Sequence, residues 1–206
     1  MSVASAELDR YTPGIARALA NLASAGASFT GAGRLTIAQV ARDGAAGVLG
    51  TYDALSPVVV EAAATVATAS ASIDLSVVEG WEARGLERVS YAELIGIVGR
   101  IRAIDTFSYG LGVAAPHLPS STPGRPTGAI ADDSRVRTGF VPVPRLLSPS
   151  RVVSALPADH AAQDDLSDTL YLSSAAMDDL TVVKDLDRAQ MELVAARTSY
   201  LNDCHW

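Results

Sequence analysis

The apolar positions of this chain fall into stretches with helical spacing, broken by glycine and proline. The clearest stripe is Leu94, Ile97, Val98, Ile101 and Ile104, which places five large apolar side chains on one helical face. Ser90-Tyr91-Ala92-Glu93 just before it has the form of a capping box, and Gly110 and Gly112 end the pattern. Thr12-Pro13 and Ser56-Pro57 each read as an N-cap followed by proline at the first helical position. The first predicts a helix running towards a stop near Gly26, the second a helix over Val58 to Ala69. A further helix is expected around Ser76 to Arg84. Beyond residue 157, helices are expected over Ala162 to Leu172 and Ala175 to Leu186. A last one opens at Asp187-Arg188-Ala189-Gln190, again a capping box, and carries Ala189, Leu193, Ala196 and Tyr200 at steps of four, three and four.

Proline separates these groups. Eight of the ten prolines lie between Pro116 and Pro157. Proline removes a backbone donor and turns its predecessor towards extended geometry. The stretch therefore reads as a linker, with one short edge strand over Gly139 to Val143. The expected organisation is all-α: a helical half over 1–115, a Pro-rich linker over 116–157, and a second helical unit over 158–206. No tandem repeat of fixed period is present.

Composition narrows the function classes. The formal charge is -7 and 49% of residues are apolar, so phosphate backbones and anionic lipid surfaces are poor partners. The Asp residues from Asp159 to Asp187 read as a solvated face. A single cysteine, Cys204, excludes an internal disulfide. No signal peptide is recognisable, and Val58 to Ala69 is too short to span a bilayer. A soluble cytoplasmic protein is expected, without membrane or nucleic-acid partners. His117, His160 and His205 show no metal-ligand spacing, and the glycines from Gly26 to Gly50 are not followed by the Gly-Lys-Ser/Thr of a phosphate loop. Neither a metal nor a cofactor is expected.

The segment Asp187 to Trp206 carries the candidate chemistry. Glu192 lies twelve residues before Cys204. On one unbroken helix the two would stand about 120° apart. Asn202 and Asp203 are good N-cap residues, so a new helix starting there would put Cys204 in its first turn, where the dipole favours the thiolate. Glu192 could then face the thiol from the preceding helix as a base or proton relay.

The pattern Arg188-x-Gln190-x-Glu192-Leu193-Val194-Ala195-x-Arg197-x-Ser199-x-Leu201-Asn202-x-Cys204 resembles the alkylhydroperoxidase D-like and carboxymuconolactone decarboxylase superfamily. The resemblance implies a helical domain assembled into homo-oligomers. Its peroxidase branch implies a Cys-x-x-Cys pair, an upstream Glu, and a His four residues after the second Cys. The second chalcogen attacks the peroxide, and the first resolves the sulfenic acid. By position Glu192 matches the relay and Cys204 the resolving thiol. The attacking position would be 207, beyond this sequence, and His205 does not match the family His.

The expected function is therefore a thiol or selenol peroxidase acting on hydroperoxides with a thiol or dithiol protein as reductant. In a chain ending at Trp206 that activity is expected to be absent or incomplete. A fragment or frameshift, a degenerate protein, or a UGA codon for selenocysteine at 207 would each account for that end. The alternatives are a carboxymuconolactone decarboxylase-like enzyme and a non-catalytic helical oligomerisation module.

The first half resembles the same superfamily through Gly85-Leu86 and the run from Tyr91-Ala92-Glu93-Leu94 to Gly110-Leu111-Gly112-Val113. The Pro-rich stretch resembles the join in two-part members, where a cysteine-free half precedes the catalytic one. Glu93-Leu94-Ile95 echoes Glu192-Leu193-Val194, with Asp105 at the spacing of Cys204.

Overall fold

A computed structural model describes residues 3–137, 139–147, 151–173 and 175–201. These residues are helical with no extended sheet: α1 (Val3–Ala23), α2 (Gly31–Ala46), α3 (Pro57–Thr68), α4 (Leu75–Ala83), α5 (Arg88–Gly110), α6 (Pro157–Leu170) and α7 (Arg188–Leu201), with a 3-10 turn at Ser70–Ser72. The all-α expectation holds.

The stripe on α5 is the centre of the core. Leu94, Ile97, Val98, Ile101 and Ile104 are all buried, against α2 and α3. Trp81 of α4 packs on Tyr91 with ring centroids 5.4 Å apart, and Tyr11 of α1 meets Phe107 edge-on at 4.8 Å. Burying aromatic and branched side chains in this way is the main favourable term in folding.

Several helix boundaries differ from the sequence reading. α1 does not begin at Thr12-Pro13; it starts upstream and passes through Pro13. Tyr11, Ile15, Ala18, Leu19 and Leu22 form its buried face on both sides of the proline, and Thr12 Oγ1 donates to the Leu8 carbonyl at 2.9 Å. Tertiary burial carries the helix past one missing donor. α5 starts at Arg88, so Ser90 stands inside the helix and caps nothing, and Glu93 is free to turn inward. α2 was not foreseen. Thr30 caps it by accepting from Gly33 N at 3.1 Å, and Gly47, at φ 72°, ends it.

The proline-rich stretch crosses the helical body in extended form. Thr122 N, Thr127 N and Gly128 N donate to the carbonyls of Ala23, Gly26 and Ala27 at 2.9–3.0 Å. The expected edge strand reduces to one antiparallel bridge between Arg135 and Val143, with Val141 and Val143 buried. α6 begins earlier than expected, with Pro157 at its first turn. The helix expected over 175–186 is replaced by turns and a bridge between Val183 and Asp187. There Asp179 Oδ1 accepts from Thr181 N at 2.8 Å, a local turn that competes with helix. Lys184 Nζ donates to the carbonyls of Asp168, Thr169 and Tyr171, satisfying the C-terminal end of α6. Among the described residues no helix is long and apolar enough to cross a membrane.

Candidate functional site

α7 opens with the capping box read from the sequence. Gln190 N donates to Asp187 Oδ1 at 2.9 Å, and Asp187 N donates to Gln190 Oε1 at 3.0 Å. One turn on, Glu192 is 53% exposed and pairs with Arg188 Nη2 at 2.7 Å. Only the carboxylate end of the pair is half exposed: the Arg188 side chain is 12% exposed and also donates to the Met177 carbonyl at 3.1 Å, so it holds the carboxylate from a mostly covered position. Arg197 has its guanidinium 5.3 Å from the Tyr200 ring centroid. Cys204, with Asn202 and Asp203, lies outside the described residues.

The apolar stripe of α7 faces solvent. Leu193 is 72% exposed and Tyr200 73%, and Ala189 and Ala196 are exposed with them. The packed face is Met191, Ala195 and Ser199, at steps of four. A largely apolar cleft of about 520 Å³ runs beneath it, bordered by Leu170, Tyr171, Leu186, Val194 and Thr198. That volume lies within the usual range for small-molecule sites.

The other concentration of charge was not foreseen. Arg34 of α2, Glu93 and Arg100 of α5, and Asp159 of α6 are each 0–1% exposed. Arg34 Nη2 donates to Asp159 Oδ1 at 2.5 Å and to Asn21 Oδ1 at 3.1 Å. Arg100 Nη2 donates to the same Asp159 oxygen, Arg100 Nη1 to Asn21 Oδ1 at 2.6 Å, and Arg100 Nε to the Gly96 carbonyl at 3.1 Å. Glu93 Oε2 accepts from Ser28 N at 2.6 Å, while Oε1 lies 3.5 Å from Arg34 Nε without a hydrogen bond.

Burial pushes the Glu93 carboxyl above the usual carboxylate range, against the opposing pull of Ser28 N and Arg34. Burial likewise lowers Arg100, opposed by Asp159. The turn between α1 and α2 wraps so closely that a Cβ at Gly26 would stand 1.9 Å from Glu93 Oε1, which requires glycine there. With all four groups ionised the cluster is neutral, and its donors point inward at buried oxygens of Asp159, Asn21 and Gly96. Its chemistry is structural. Asp159, read from the sequence as part of a solvated face, is instead its pivot.

The positions in the first half that echo the candidate site both serve as ion-pair partners of α2. Glu93 faces Arg34. Asp105 takes a bidentate pair from Arg42, at 3.0 and 2.7 Å. Of the two candidate residues, the described structure therefore places Glu192 on an accessible helix face. His160 Nε2 lies 3.7 Å from Asp164 Oδ2, and among the described residues no group of His, Cys, Asp and Glu is arranged to hold a metal. Compared with known proteins, the chain matches no family model, and no curated protein and no solved structure is significantly similar to it.

Proposed function

We propose that this chain belongs to the peroxidase branch of the alkylhydroperoxidase D-like superfamily and serves thiol- or selenol-dependent reduction of hydroperoxides. The observation that carries the reading is the run from Arg188 to Cys204, with its glutamate twelve residues before the cysteine. Two structural features support it. The helix that bears Glu192 opens at the Asp187 and Gln190 cap. Its carboxylate is also reachable from solvent, as a proton relay needs to be. In this reading a thiol or selenol at position 207 attacks the peroxide and becomes a sulfenic or selenenic acid as the alcohol or water leaves, and Glu192 moves the proton. Cys204 then displaces water from that acid to form a disulfide or selenylsulfide, and a thiol or dithiol protein reduces that bond. The finer architecture is two helical halves, 1–115 and 158–206, joined by the Pro-rich stretch and assembled as a homo-oligomer.

The test is hydroperoxide consumption with a dithiol reductant, comparing the protein with Cys204→Ser. Turnover by the parent alone supports the reading, and equal turnover by both removes Cys204 from the mechanism. A second reading, a non-catalytic oligomerisation module, is favoured by the solvent-facing stripe of Leu193 and Tyr200 on α7. No turnover by either protein, together with concentration-dependent self-association lost in Leu193→Asp, selects it.

A further inference from the structure

We propose that the Asp159 carboxylate is an ionic key that docks the C-terminal segment, α6 with α7 behind it, onto the body formed by α1 to α5. This stands independently of the peroxidase reading.

The connection into α6 carries no helix; α6 is held by Leu156 and Leu166 in the core, by the Ala131 N to Ala155 carbonyl bond at 2.8 Å, and by the polar contacts of Asp159. Asp159 sits in the first turn of α6. From there one oxygen meets Arg34 of α2 and Arg100 of α5, and both arginines also donate to Asn21 of α1. Two helices of the body thus converge on one group from α6, and a third, α1, holds both arginines through Asn21. The turn before α7 is bonded to the last carbonyls of α6 through Lys184 and to α1 through Asp185, which accepts from Arg10 and Tyr11 at 2.9 and 2.8 Å.

The charge balance makes the contact decisive. Docked, the two arginines face Glu93 and Asp159, and the cluster is neutral. With a neutral residue at 159, docking leaves one uncompensated guanidinium at a site 0–1% exposed. Undocking lets water reach it. Breaking a buried pair from one side is strongly unfavourable for this reason, whereas the surface pair Arg17–Asp165 between α1 and α6, at 2.8 Å and half exposed, has little leverage.

Hydrogen exchange on the full chain tests the key, comparing the parent with Asp159→Asn and Asp165→Asn. In Asp159→Asn the amides of α6 exchange about 10²- to 10³-fold faster, while those over Ile37–Ala41 and Ile97–Ile104 keep their protection. In Asp165→Asn the change stays below about tenfold. Tryptic cleavage after Arg151, whose side chain is half exposed, accelerates in Asp159→Asn alone. Parent-like protection of α6 in Asp159→Asn, or an equal loss across α2, α5 and α6, would overturn the proposal. So would an unchanged cleavage rate at Arg151.

Discussion

Glu93 and Glu192 occupy matching places in two similar short runs, Glu-Leu-Ile and Glu-Leu-Val, yet they live in opposite environments. Glu93 is enclosed by α2, α5 and the turn before α2, raised in pKa by burial and held by Ser28 N. Glu192 stands half exposed on α7, paired with one mostly covered arginine. The difference lies in what covers each helix. α5 is enclosed by other elements, so every polar group on its inner face must find a partner. α7 is covered on one face only, so its carboxylate remains available to other molecules. The same residue type thus serves architecture in one region and, in our reading, proton transfer in the other.

The comparison breaks most sharply at the arginines. Arg34→Ala leaves Glu93 and Asp159 sharing Arg100 in the interior and is expected to destabilise by about 3–5 kcal/mol. Arg188→Ala removes the partner of Glu192 and the donor to the Met177 carbonyl from a mostly covered position, and is expected to destabilise by about 1–3 kcal/mol, less than the loss at Arg34. Urea midpoints of the two variants measure the contrast. Comparable losses would mean that α7 is as tightly integrated as α5.

A second, smaller effect is a pH dependence whose sign follows from the raised Glu93. A carboxyl with a higher pKa folded than unfolded favours the fold when protonated. Its contribution therefore falls as pH rises through the unfolded value, near 4.5, towards the folded one. Glu93→Gln removes that fall, so the variant's stability between pH 4 and 8 declines less with rising pH than the parent's. Parallel curves for Glu93→Gln and the parent would show that the ion pair with Arg34 offsets the burial.

The helices with strong local signals were legible from the sequence. Ser56-Pro57 starts α3, the apolar stripe marks α5, and the reciprocal Asp187 and Gln190 cap opens α7. What was missed depended on distant partners. α2 carries Gly31, Gly33 and Gly44, which lower its intrinsic helix propensity, and it is held by burial of Ile37, Ala38, Val40 and Ala41. The burial of Asp159 follows from two arginines far away in sequence, which no local pattern reveals. One signal was available: Glu93 and Arg100 fall on the Ile97–Ile104 face of α5, where a charge needs a buried partner. The stretch 175–186 misled because its leucines and valines suggest helix, while Asp179 and Thr181 close a turn.

In our reading the accessible glutamate, and not the buried one, serves the chemistry. The most direct measurement is the rate of hydroperoxide reduction per folded molecule for the parent, Glu192→Gln and Glu93→Gln, each carried through an attacking thiol or selenol at position 207. Our account predicts a loss of about 10²- to 10⁴-fold for Glu192→Gln, with an unchanged urea midpoint, and a parent-like rate for Glu93→Gln. A parent-like rate for Glu192→Gln, or an equal loss in both variants, would contradict it.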